Sequence, residues 1–235
     1  MKDNSDDTMI MQTQQSTACG DSVRVEMVNP ADTSADSYQH TGADQLAENQ
    51  YRAGAYSMLA ALLRKPPPQD VLNVVTGLAD GVEEKDDFAV AMSMLGLAAR
   101  TARPDELDDE FHALFIGLGR GELVPYGSWY LTGFLMEKPL GVLRDDLASM
   151  GFARKDSTCE PEDHVAALCE VMAMLIYEGR SLGEQTLFFN AHLSPWVGRF
   201  FTDLSEAKSA VFYRAVARFG KAYFDFEKQY LAMRV

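Results

Sequence analysis

The stretch EPEDHVAALCEVMAMLIY, residues 160–177, decides how the rest of this chain is read. Val165, Leu168, Met172, Leu175 and Ile176 recur at helical spacing, so the segment predicts an apolar helix entered at Pro161. Proline suits a first helical turn, and Glu162 and Asp163 then fall where acids meet the positive end of a helix dipole. Helix-start chemistry alone justifies both acids. What exceeds it is the Asp163-His164 pair, because a carboxylate there can accept paired bonds from a guanidinium.

Working outward, the same period appears on both sides. Tyr51, Ala55, Met58, Leu59 and Leu62 mark a helix ending at Arg64, before Pro66-Pro67-Pro68. Further helices are expected over about 69–78 and 85–100, the latter with Phe88, Met92, Leu95 and Ala99 on one face. Another opens at Pro104-Asp105-Glu106 and carries Leu107, Phe111, Leu114 and Phe115 to Gly117. Two short helices, about 129–137 and 139–150, are followed by Gly151 as a C-terminal cap. The chain then predicts a helix over 184–192, a cap and proline start at Ser194-Pro195-Trp196, and a last helix over about 205–231. No alternating strand, hairpin turn or internal repeat is evident. The fold class is all-α, with a link near 152–160 dividing a larger group of helices (49–151) from a smaller one (161–235).

Residues 1–48 read as a disordered acidic tail, poor in large apolar groups and unable to offset the entropy of ordering. The 235-residue chain carries a net charge of −14, and hydrophobic residues make up 47% of it, enough for a sizeable core. Such an acidic surface repels nucleic acid phosphates and anionic lipid and favours cationic partners. Cys19, Cys159 and Cys169 form neither a CxxC pair nor a zinc quartet, and no apolar secretion signal is seen at the start. The longest apolar run, Phe88 to Ala99, is too short to span a bilayer. A cytoplasmic protein without a membrane segment is expected.

The second unusual segment is GLGRGELVPYGSWY, residues 117–130. Its glycines resemble a nucleotide loop only superficially. No strand precedes them, ten further loop residues follow, and the Walker lysine and hydroxyl are absent. Tyr126, Trp129 and Tyr130 either pack into the core or line a groove for an apolar segment of a partner. Asp109-x-x-His112 and Glu160-x-x-x-His164 place carboxylate and imidazole on common helix faces, but the remaining ligands of a di-iron bundle are missing. Ser128 lacks a nucleophile-elbow context and the cysteines lack a neighbouring base. No catalytic set, metal or other cofactor is expected. A metal- or nucleotide-dependent helical-bundle enzyme and a generic acidic adaptor stand as the alternative readings.

The order Phe111-x-x-Leu114-Phe115, glycine-rich loop, Pro125-Tyr126-x-Ser128-x-Tyr130-Leu131, then Glu160-Pro161-x-Asp163-His164 resembles the TorD/DmsD family of molybdoenzyme maturation chaperones. Asn190-x-His192-Leu193-x-Pro195-Trp196-x-x-x-Phe200 and Phe212-Tyr213 are similar to it too, so the resemblance covers about residues 50–230. It implies an all-helical, cytoplasmic, non-enzymatic protein with its two helical subdomains joined by a hinge. Such a chaperone binds the twin-arginine signal peptide, the apo catalytic subunit, or both, of a molybdopterin-dependent oxidoreductase of the DMSO/TMAO reductase or formate dehydrogenase type. It delays export until the cofactor is inserted. It is a monomer or a dimer domain-swapped through the hinge. By the resemblance, the peptide site comprises Phe111, Leu114, Phe115, Pro125, Tyr126, Asp163 and His164, with Ser128, Trp129, Tyr130 and Glu160 beside them. A 48-residue tail is longer than the family pattern.

Overall fold

The computed structural model describes residues 25–27, 43–79, 86–117, 120–154 and 160–233. Apart from one short pairing of strands, the described chain is helical: α1 Ala43–Arg64, α2 Gln69–Thr76, α3 Asp87–Thr101, α4 Pro104–Phe111, α5 Gly127–Thr132, α6 Lys138–Ser149, α7 Val165–Tyr177, α8 Leu182–His192, α9 Val197–Glu206 and α10 Phe212–Met233. The centre is α7, whose residues from Val165 to Cys169 and most of those beyond are buried. Helix α1 packs along it, and α10 packs against α9 and α3, so helices from both sides of the 152–160 link share one hydrophobic core. No helix among the described residues is long and apolar enough to cross a membrane.

Tyr56, Tyr213, Tyr223, Phe188, Phe200, Phe201 and Phe219 fill the core. A buried ion pair also crosses it. The Arg52 guanidinium donates to Glu227 from Nε at 2.9 Å and to the Gln185 amide oxygen at 2.9 Å, and lies over the Tyr230 ring at 4.2 Å.

Four local expectations are corrected. Helix α7 begins at Val165, with His164 as its cap and its Nδ1 accepting the Ala166 N–H at 3.1 Å. Pro161, Glu162 and Asp163 therefore lie before the helix, and the Glu162 and Asp163 side chains are bound to other segments. The expected helix over 205–231 starts only at Phe212, because α9 ends at Glu206 and residues 207–211 break the helical run before α10. The break holds because carboxylates from distant segments satisfy the freed backbone. Glu110 accepts the N–H groups of Val211, Phe212 and Tyr213 at 2.7, 3.1 and 2.8 Å, and Glu122 accepts that of Lys208 at 2.8 Å. The start of α9 is capped by Trp196 rather than Ser194, whose N–H instead closes α8 on the Phe189 carbonyl. Finally, Val25–Met27 pairs antiparallel with Phe152–Arg154 as strands β1 and β2, in the register Val25 to Arg154 and Met27 to Phe152. Three residues per strand are too few to show alternation. The expectation of disorder over 1–48 falls largely outside the described residues, and Ala43–Glu48 forms the first turns of α1.

Candidate functional site

Two segments that are far apart in sequence meet at the N-terminus of α7. The Gly127 N–H donates to the Asp163 carbonyl at 2.9 Å, and the Val165 N–H donates to the Pro125 carbonyl at 2.9 Å. These reciprocal bonds make a β-bridge between Tyr126 and His164. The structure thus brings Pro125, Tyr126, Ser128, Trp129, Tyr130, Glu160, Asp163 and His164 together.

Asp163 is the pivot. Its Oδ2 accepts the Ser128 N–H at 2.7 Å. Together with the carbonyl bond to Gly127, this makes Asp163 the cap of α5, supplied from a different part of the chain. A cap needs one carboxylate oxygen. The other, Oδ1, is buried without a hydrogen-bond partner, and so is Oγ of Ser128. Asp163 is only 3% exposed and Ser128 not at all. Both line a cavity of about 160 Å³ bounded by Leu131, Pro139, Val142, Leu143, His192 and Trp196. Unpartnered buried polar atoms are rare because each carries a desolvation cost of about 1–3 kcal/mol. Each of the two belongs to a residue that lines this cavity, although both atoms are themselves shut off from solvent in the folded chain.

On the other side of the bridge lies a second polar group. Tyr126 donates its hydroxyl to Glu160 Oε1 at 3.1 Å, and the Tyr126 and His164 rings meet edge to face at 5.0 Å. His164 accepts a backbone N–H on Nδ1, so the neutral ring carries its proton on Nε2, which is 3.9 Å from Glu160. Burial, reinforced by the Arg64 charge and opposed by Asp163, pulls His164 down to about 3. Burial pushes Glu160 up from the usual carboxylate range, against its bond from Tyr126 and the pull of Arg64. Burial also raises the Tyr126 phenol, with the Glu160 charge adding to it. A neutral buried imidazole and a partly shielded carboxyl suit a structural hydrogen-bonding role better than proton transfer near neutrality.

The remaining predicted residues divide by depth. Tyr130 is buried and stacks on Trp196 at 5.4 Å. Trp129 is half-buried under the Arg120 guanidinium, 4.5 Å from its ring. Leu114 is fully buried and Phe111 nearly so, while Phe115 packs on Phe111 at 4.9 Å and on Tyr213 at 5.5 Å. This trio props up the loop that leads to the site, since the Leu123 N–H donates to the Leu114 carbonyl at 2.8 Å. Glu162 binds Arg144 of α6 at 2.9 and 3.0 Å.

Sequence reasoning did not select His192, Trp196, Leu131 or Val142 as site residues. His192 Nε2 lies 2.8 Å from Asp146 Oδ2, and the Trp196 indole N–H donates to the His192 carbonyl at 2.7 Å. The run from Asn190 to Phe200 carried the only advance signal for the first two. A larger, more open groove of about 510 Å³ lies between α1, α2 and α7, with the Arg64–Glu170 ion pair among its lining residues.

Comparison with known proteins follows the same lines. The model of the nitrate reductase delta subunit family matches residues 77–202. The chaperone protein TorD of Aliivibrio salmonicida is 26% identical over 208 residues, covering 79% of this chain and 97% of that relative. The chaperone protein TorD of Vibrio cholerae serotype O1 is 27% identical over 206 residues, covering 78% and 93%. A solved structure described as a candidate redox enzyme maturation protein from Archaeoglobus fulgidus superposes with a TM-score of 0.48 at 17% identity, covering 82% of this chain and 98% of that one. The family model and the two TorD chaperones meet the resemblance drawn from the sequence motifs.

Proposed function

The chain belongs to the nitrate reductase delta subunit family, and from that premise we propose that it is a chaperone of molybdoenzyme maturation and not an enzyme. Its client is the apo catalytic subunit of a molybdopterin-dependent oxidoreductase. It binds the client's twin-arginine leader peptide and delays export from the cytoplasm until the cofactor is in place. Relatives of similar length that carry the name of a TorD chaperone support the class of function.

The observation that carries the peptide reading is the divided use of Asp163. One carboxylate oxygen is committed to capping α5, and the other is buried and unpartnered in a residue that lines a cavity. A guanidinium offers the charge and the planar pair of donors that such an oxygen and the neighbouring Ser128 hydroxyl lack. The net charge of −14 steers a cationic leader towards the chain and raises the rate of encounter. The test is calorimetric titration with twin-arginine leaders of molybdoenzymes encoded nearby. Saturable binding that weakens when both arginines are replaced is expected. No binding to any leader, with the helical content intact, sinks the reading.

A further inference from the structure

We infer that helix α6 is a latched lid on the cavity lined by Asp163 and Ser128, and that Arg144 and Asp146 are the side chains that hold it shut. This rests on the site proposed above and adds the control of access to it. Asp163 Oδ1 and Ser128 Oγ are buried without a partner while the cavity is closed, so a ligand reaches them only through a motion of the chain.

Among the cavity's walls, α6 is the element placed to move. Val142 and Leu143 of α6 line the space together with Leu168 of α7, His192 of α8 and Trp196. Among the described residues, the α6 backbone packs mainly on α5, which precedes it, and on β2, which follows it. Its main packing is thus with its own neighbours in sequence, whereas α7 and α8 pack on distant helices. Segments with few long-range contacts open locally at less cost than the core does. Both ends of α6 are breaks in the left-handed region, at Gly133 (φ 84°) and Met136 (φ 60°) before it and Gly151 (φ 85°) after it. The helix is therefore a separate rod. Its buried side chains are Leu140, Leu143 and Leu147, a single row whose burial keeps the closed state dominant.

Two polar ties, two residues apart, join this rod to the rest of the chain. Arg144 donates from Nε and Nη2 to Glu162 Oε2 at 3.0 and 2.9 Å, and Asp146 Oδ2 lies 2.8 Å from His192 Nε2. One tie lands on the neighbour of Asp163 and the other on the cavity lining. In both, the α6 partner is half-exposed and the body's partner is buried. A half-exposed ionic side chain exchanges its partner for water at small cost, which suits a latch better than a permanent brace. A ligand that needs the open state has its affinity reduced by the fraction of chains that are open, so the latch sets affinity as well as access.

Thiol labelling of the full chain reads the opening directly. In a Cys19→Ser/Cys159→Ser background, Ser128→Cys places a thiol at the cavity, and native Cys169, buried in α7, reports unfolding of the whole chain. With iodoacetamide and mass mapping, position 128 should be alkylated about tenfold or more faster than Cys169. Arg144→Met and Asp146→Ala should each speed labelling at position 128 by about 3- to 10-fold and leave Cys169 unchanged. A second measurement does without the reporter. Leader affinity of the two latch variants in the native sequence should rise by the same factor, because the open fraction does. The variants alter net charge in opposite directions, so a gain common to both is not long-range electrostatics. Equal labelling at position 128 and Cys169 means that the cavity opens only on global unfolding, and overturns the lid. Faster labelling at position 128 that neither variant changes overturns the latch. Labelling as expected with leader affinity unchanged or weakened means that α6 moves without governing the site; the inference then falls and the peptide reading stands. If wild type binds no leader, the peptide reading falls, and the gating of that site with it.

Discussion

Asp163→Asn separates the two tasks assigned to this carboxylate. The side-chain amide is nearly isosteric, and its oxygen can still accept the Ser128 N–H that Oδ2 now holds at 2.7 Å. The main-chain bond to Gly127 does not depend on the side chain. What is lost is the charge. A hydrogen bond to an ionised group is worth about 1.5–3 kcal/mol against about 0.5–1.5 for a neutral one, so the cap weakens by about 1 kcal/mol. Relief from holding a buried charge with one unpartnered oxygen offsets part of that, which leaves a net change in stability of about 0–1 kcal/mol. Asp163→Ala is different. It orphans a buried N–H, at about 1–3 kcal/mol, and empties the space as well. For the ligand the order reverses. Asn presents an amide N–H₂ where a cation needs an acceptor, so leader affinity should fall by about 2–4 kcal/mol, or about 30- to 1000-fold, nearly as much as with Ala. Urea unfolding followed by far-ultraviolet circular dichroism reads the first quantity and calorimetric titration the second. Equal loss of stability in the Asn and Ala variants would refute the cap. Unchanged affinity in the Asn variant would remove the free oxygen from the binding site.

Three further outcomes follow from the packing. His164 stays neutral in the folded chain down to about 3, whereas the unfolded chain protonates near 6.5. The unfolded state then binds more protons, so stability should drop as pH falls from about 6.5, by up to about 1.4 kcal/mol per unit. His192, lowered by burial, acts in the same direction; Glu160, raised by burial, opposes as it protonates first in the folded state. His164→Asn keeps a capping acceptor, so it should flatten this slope between pH 7 and 4.5 in urea titrations, and an unaltered slope counts against the assignment. Arg52→Met strands the fully buried Glu227 and should cost about 3–5 kcal/mol, most of it recovered by adding Glu227→Leu; additive losses would mean the pair is not coupled. Gly220→Ala puts a β-carbon 2.2 Å from Cε1 of Phe201, where α9 crosses α10. Overpacking of about 1–3 kcal/mol should outweigh the roughly 1 kcal/mol gained in helix propensity, and a raised melting temperature would refute the close approach.

The helices that line the core could be read from residue order because of their apolar content and spacing. On α10 periodicity and burial coincide at Phe212, Val216, Phe219, Tyr223 and Tyr230, whereas α7 is buried nearly all round and is marked by its apolar content. The two segments 117–130 and 160–164 also stood out, since aromatic residues beside glycine and acids beside imidazole are costly to place without a partner. Residue order failed where a polar group is used at a distance. Nothing near Ala207 to Val211 announces a helix break, because the groups that stabilise it are Glu110 and Glu122. Pro161 looked like a helix start, yet the acids behind it serve α5 and α6.

By itself, then, the order of residues determined an all-helical core, the family pattern and the two segments that would meet. Tertiary structure alone decided what each carboxylate does. None of Glu110, Glu122 and Asp163 is adjacent in sequence to what it binds: Glu110 and Asp163 hold the first N–H groups of α10 and α5, and Glu122 holds the turn at Lys208 and Ser209. The reason is physical. Apolar burial is summed along one helix face and leaves a local period, whereas a hydrogen bond is a short, directional contact between two atoms and leaves no trace in the spacing of either partner. The unpartnered oxygen of Asp163, on which the proposed site depends, is the extreme case, because it is defined by a contact that the folded chain leaves open.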